Sequence, residues 1–105
     1  MAPRISGMDG LQVIAESHRR RILNLVWDDE MAAGDIARQF DITFGAVSQH
    51  LAVLREAGFV DVRPEGNRRL YQANKTALGP LRTVLEAMWT TTLDDLAAAV
   101  EKDQS

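Results

Sequence analysis

The sequence predicts a mainly α-helical domain that carries one short β-hairpin. Three observations carry that expectation. Apolar residues recur at helical spacing in five stretches, two alternating runs flank a segment containing Pro64, Gly66 and Asn67, and the connections between stretches are short.

The elements follow in chain order. Leu11, Ile14 and Ala15 place a first helix over residues 8–16. Ser17 is positioned to cap a second, whose Ile22, Leu23, Leu25 and Val26 form a broad apolar face closed by Trp27. Asp28, Asp29 and Glu30 read as a solvated connection. A short helix over 33–40 buries Ile36, Ala37 and Phe40. After the brief link Asp41-Ile42, Thr43 is a good N-cap for a helix on which Val47, Leu51 and Leu54 recur at steps of four and three. That helix runs to Ala57 and stops at Gly58, which supplies a left-handed residue. Residues 59–63 and 69–73 are the two strands, joined through the turn-forming stretch 64–68. From Thr76 one long helix carries Leu78, Leu81, Leu85, Met88, Thr92, Leu96 and Val100, with Trp89 and Leu93 widening the stripe. Four helices, a hairpin and a further helix make a winged helix-turn-helix with an additional helix at each end.

With 105 residues the chain is read as a single domain, 1–105, near the small end of the usual range. Its core is thin, so a dimer interface is a natural place to bury more apolar surface. Apolar residues at 46% and charged residues at 26% fit a soluble globular protein. No apolar run approaches the length of a membrane span, and residues 1–10 lack the apolar stretch of a secretory signal, so a cytoplasmic location is expected. The absence of cysteine excludes disulfides, thiolate metal sites and thiol redox sensing. The net charge of −3 is unevenly spread: residues 43–75 carry +2, whereas 1–42 carry −2 and 76–105 carry −3. Positive charge thus collects in the middle, where a nucleic acid would be met.

In a helix-turn-helix the second helix enters the major groove with its N-terminal residues against base edges. With Val47, Leu51 and Leu54 turned inward, the opposite face presents Phe44, Gly45, Ser48, Gln49 and Ala52. Gln49 can pair with adenine through its amide, and Ser48 can bond a base or a phosphate. Phe44 either touches a thymine methyl or folds back on the body. Gly45 permits close approach of backbone to phosphate. His50 lies between the faces and is read as a partly buried histidine bonded within the domain, with a DNA contact as the alternative. Arg55 follows on the same helix. In the hairpin, Asn67, Arg68 and Arg69 form a wing suited to the minor groove or flanking phosphates, and either Leu70 or Tyr71 anchors it. Arg19, Arg20 and Arg21 read as a solvated face rather than a phosphate clamp. Neither Asp28-Asp29-Glu30 nor Asp94-Asp95 has the spacing of a calcium loop. Trp27 and Trp89 read as core and interface. No nucleophile–base pair or phosphate-cradling loop points to an enzyme.

Ser17–Val26, Gly34–Ala37, the block Ala46–Val60 and Glu65–Tyr71 resemble the ArsR-type winged-helix repressors over nearly the whole chain. The most specific part is Val47-Ser48-Gln49-His50-Leu51 with Ala57-Gly58 and the wing following at once. The resemblance implies DNA contacts at Thr43, Ser48 and Gln49, with His50 a further candidate, and a homodimer built from the first and last helices. On those helices the candidate interface residues are Leu11, Ile14, Leu81, Leu85, Met88, Trp89, Leu93 and Leu96. Phe44 and Gly45 depart from the family's usual residues at the start of this helix, which alters the operator expected. Metal-sensing members carry Cys clusters in an earlier helix, or His and carboxylate pairs in the last. Here His18 and His50 are far apart in sequence, and Glu86, Asp94, Asp95 and Glu101 stand without an imidazole. The expectation is no metal site and no cofactor. Met88-Trp89 resembles a tail of the non-metal branch, which includes autorepressors.

The function expected is therefore a repressor bound to double-stranded operator DNA as a dimer, its recognition helices about 34 Å apart on an inverted repeat. A repressor with an effector at the dimer interface and a winged-helix protein-interaction module are the alternatives.

Overall fold

A computed structural model describes residues 9–90. It opens with α1 (Gly10–Ala15), shorter than the 8–16 expected. Asp9 accepts from the Gln12 backbone at 2.9 Å while the Gln12 side chain accepts from the Asp9 backbone at 3.0 Å, a reciprocal cap. One extended residue, Glu16, separates α1 from α2 (Ser17–Leu25). Glu16, not Ser17, is therefore the cap of α2: its carboxylate accepts from the Arg19 N–H at 2.9 Å, and Ser17 is already helical.

So abrupt a junction leaves the last carbonyls of α1 without helical donors. Arg19 and Arg20 supply them. Arg19 Nε donates to the Val13 carbonyl at 2.8 Å, and Arg20 Nη1 to those of Ile14 and Ala15, both at 2.9 Å. Arg21 donates to the Gln39 carbonyl at 2.7 Å and lies 4.7 Å over the Phe40 ring. Arg19 and Arg20 are thus half-buried staples rather than the solvated face expected, whereas Arg21, although bonded to Gln39, stays exposed.

After Asp28–Glu30 comes a strand missed from sequence, β1 (Met31–Ala32), then α3 (Ala33–Ala37). α3 ends short of the expected residue 40: Ile36 is buried and Ala37 half-buried in it, and the half-buried Phe40 lies in the turn beyond. The expected capped helix is α4 (Phe44–Glu56), with Thr43 Oγ1 accepting from Ala46 N–H at 3.0 Å. Its end closes on two paired bonds, Phe59 N–H to Leu54 at 2.9 Å and Gly58 N–H to Arg55 at 3.0 Å, with Gly58 at φ +81°. That is a Schellman motif, and its apolar pair, Leu54 and Phe59, is buried.

Strands β2 (Val60–Glu65) and β3 (Arg68–Ala73) pair from Val60↔Ala73 to Glu65↔Arg68. The reversal is thus Gly66-Asn67 alone, with positive φ only at Gly66, the pattern of a type II′ turn. Pro64, expected in the turn, lies in β2 at the sheet edge, where a missing N–H is tolerated. β1 adds to the other side of β3, giving the order β1-β3-β2. Leu70 and Tyr71 are both buried, so the wing is anchored from both faces.

The last helical segment is interrupted where sequence periodicity suggested one long helix. α5 (Lys75–Leu78), capped by Asn74, passes into a 3₁₀ turn, Gly79–Leu81, and then into α6 over 82–90. Pro80 has no N–H to continue the α-helical ladder. Leu78 and Leu85 nevertheless both reach the core, which also gathers Ile14, Ile22, Leu23, Ile36, Leu51 and Leu54. Trp89 Nε1 donates to the Arg20 carbonyl at 3.0 Å, and its ring meets Trp27 edge-on at 5.3 Å. Thr92, Leu93, Leu96 and Val100 lie outside the described residues.

Candidate nucleic-acid interface

α4 divides cleanly. Val47, Leu51 and Leu54 are at most 2% exposed, whereas Thr43, Phe44, Gly45, Ser48, Gln49, Ala52 and Arg55 are exposed on or beside the outer face. Thirteen helical residues span about 20 Å, enough to lie along a groove. Phe44 is 55% exposed, so it does not fold back on the body. A Cβ at Gly45 would meet only Thr43 Oγ1, at 3.9 Å. Space inside the free protein therefore does not require glycine there.

The wing arginines differ in their commitments. Arg63 is clamped at the root, Nε and Nη2 donating to Glu30 at 2.6 and 2.9 Å, with Glu65 at 3.6 Å. That hydrogen bond lowers the Glu30 pKa and raises that of Arg63. Arg68 Nη2 donates to Asp35 of α3 at 3.1 Å, and Asp35 also holds Arg38. Arg69 and Arg55 make no ion pair among the described residues. With Ser48, Ala52, Glu56 and Tyr71 they line an open cleft between α4 and β3. Asn67 is exposed at the wing tip.

His50 turns away from this face. Its side chain is 19% exposed and its ring stacks on His18, centroids 5.4 Å apart at 17°. Its Nδ1 lies 3.9 Å from Glu16 Oε1 and 3.5 Å from Arg19 Nη1, while His18 Nδ1 is 2.9 Å from Glu16 Oε2. Burial lowers the His50 pKa despite the nearby Glu16 charge. For Glu16 burial acts upward, but hydrogen bonds from His18 and the Arg19 backbone, with the histidine charges, leave the net shift downward. Sequence distance had separated the two histidines; packing of α4 on α2 brings them together. The overlooked signal was Glu16, an acidic residue at a helix start that faces both.

Among the dimer candidates, Ile14 and Leu85 are at most 1% exposed and belong to the chain's own core. Leu81, Met88 and Trp89 are half-buried, and Leu11 is 57% exposed. Val84, not singled out from sequence, is 38% exposed. No helix among the described residues is long and apolar enough to cross a membrane.

Comparison with known proteins gives a consistent picture. The family model described as bacterial regulatory protein, arsR family, matches residues 16–62. The chain is 39% identical over 92 residues to the HTH-type transcriptional regulator Rv2034 of Mycobacterium tuberculosis, covering 88% of this chain and 86% of that one. It is 36% identical to the transcriptional repressor SdpR of Bacillus subtilis, over 64% of this chain and 74% of that one. It is 29% identical to the transcriptional activator HlyU of Vibrio cholerae, over 75% and 73%. A crystal structure described as a possible transcriptional regulator for arsenical resistance superposes with a TM-score of 0.68 at 38% identity, covering 87% of this chain and 95% of that one.

Proposed function

Because the chain belongs to the arsR family of bacterial regulatory proteins, a family of transcription regulators rather than enzymes, we propose that it is a repressor that occludes a promoter as a homodimer on an inverted-repeat operator. The observation that carries this reading is the shared aspect of α4 and the wing: Ser48, Ala52 and Arg55 stand exposed across one open cleft from Arg69, with Gln49 exposed on the same helix. In a duplex, Ser48 and Gln49 face base edges, Phe44 meets a thymine methyl, and Thr43 and Gly45 lie near phosphate. Arg55, Asn67, Arg68 and Arg69 act on phosphates or the minor groove.

Leu11 and Val84 are the exposed apolar residues available to a two-fold mate, with the partly covered Leu81, Met88 and Trp89 beside them. Thiolate sensing is outside this chain's chemistry, since it has no cysteine. The relatives include proteins named as a repressor and as an activator. Repression is the reading adopted because occlusion needs only a DNA-bound dimer and no surface for polymerase.

A footprint of the purified protein on the DNA upstream of its own gene, paired with transcription in vitro, tests the proposal. The expected result is a protected, two-fold-related site and less transcript. A protected site with more transcript would reverse the sign, and no protection on genomic DNA would leave the interaction-module alternative.

A further inference from the structure

We propose that Glu16, His18 and His50 form a binding site for a divalent transition ion of the zinc class, tying the start of α2 to the middle of α4. One ligand atom from each side chain, a carboxylate oxygen and two imidazole nitrogens, lies within 4.8 Å of the other two. A tetrahedral ion with bonds of about 2.0–2.1 Å sets neighbouring donors about 3.3 Å apart. The observed separations, 2.9 Å from Glu16 Oε2 to His18 Nδ1 and 3.9 Å from Glu16 Oε1 to His50 Nδ1, lie on either side of that value. They run to different oxygens of one carboxylate, so binding requires the side chains to turn until the three donors face a common point.

The site is held in place before any ion arrives. Glu16 is fixed as the cap of α2 by the Arg19 N–H. The two imidazoles stack, and the Phe40 ring lies tilted against His18 with centroids 5.8 Å apart. All three donors are half-buried rather than sealed, so an ion has access. An ion takes the place of the proton now between His18 Nδ1 and Glu16 Oε2. Three protein donors leave one position for water. Two imidazoles and one carboxylate select zinc, cobalt or nickel over magnesium and calcium, which take oxygen donors.

One group opposes the ion. Arg19 Nη1, 3.5 Å from His50 Nδ1, must swing aside, although Arg19 Nε is separately held by the Val13 carbonyl. No cysteine and no residue of the last helix takes part; the site joins the two histidines that their distance in sequence had separated, with Glu16 between them. The ion links α2 directly to α4, next to Gln49, and its binding is measurable with no DNA present.

The test is titration of untagged, chelator-treated protein with Zn²⁺ and with Co²⁺, followed by competition against a chromophoric chelator. One ion per chain is expected, with the intense visible bands of low-coordinate cobalt and shifted imidazole NMR signals from both histidines, the only two in the sequence. His18→Ala should weaken zinc binding by about tenfold or more. Glu16→Gln should do likewise while still accepting the Arg19 N–H, and its unchanged circular dichroism verifies the fold. Absence of a stoichiometric ion in the wild type, or wild-type zinc affinity in either folded variant, overturns the proposal.

Discussion

Arg68 of the wing is tied to Asp35 of α3, Nη2 to Oδ2 at 3.1 Å, whereas its neighbour Arg69 makes no ion pair among the described residues. The pair is exposed on both sides, and pairs of that kind contribute at most about 1 kcal/mol. A phosphate can therefore draw Arg68 away at small cost. Asp35→Asn is expected to strengthen DNA binding severalfold by releasing Arg68. Arg69→Ala should weaken it on every sequence and reduce the salt slope by about 1. Binding isotherms at several salt concentrations measure both.

Gln49 should act differently. Exposed on the outer face of α4, with no side-chain hydrogen bond among the described residues, it is available to read a base. Gln49→Ala is expected to cost about 1–3 kcal/mol on the operator and little on scrambled DNA. Equal losses on both in competition gel shifts would remove Gln49 from base readout.

The junction between α1 and α2 supplies a stability prediction. Arg20 satisfies two carbonyls at the end of α1. Hydrogen bonds from a charged donor contribute about 1.5–3 kcal/mol when well shielded. Because the Ala15 contact is exposed, Arg20→Met should lower stability by about 1–2 kcal/mol in urea denaturation. DNA affinity per folded molecule should be unchanged.

Stability should fall in acid in two stages, in metal-free buffer. The folded state lowers the His50 pKa, so below its ordinary 6.5 the unfolded chain takes up a proton that the folded chain resists. Stability is full above that pH and declines beneath it. Glu16 is also lowered, so its contribution is full above the ordinary 4.5 and is lost as pH falls through the folded value. Denaturation midpoints against pH should decline from just below 6.5 in the wild type. His50→Gln should remove the upper stage and, because the His50 charge helps to lower Glu16, lessen the lower one.

Much of this architecture was legible because apolar periodicity and caps agree. α4 is the clearest case: Val47, Leu51 and Leu54 mark its inner face, Thr43 its start and Gly58 its end, and the fold uses each in that role. The misread features depend on contacts made across the chain. Met31–Ala32 is too short to show alternation and exists only because β3 offers a free edge. The Arg19–Arg21 run looks like any charged surface until the helix junction at Glu16 supplies bare carbonyls. Pro80 stood within an apolar stripe whose spacing suited one helix, and the backbone had to give way. The His18–His50 stack arises from α2 packing on α4, a relation that local spacing does not encode.

The strand β1 runs without a linker into α3, Ala32 being followed directly by helical Ala33, while Met31 and Ala32 are hydrogen-bonded into the sheet opposite Tyr71 and Leu70. The hairpin and the leading helix of the reading pair are consequently one lever. Bending the hairpin to follow a narrowed or widened duplex is therefore expected to tilt α3, which packs on α4. DNA curvature at the edges of a binding site would then be felt at its centre, giving the chain a way to favour pliable sequences it never touches.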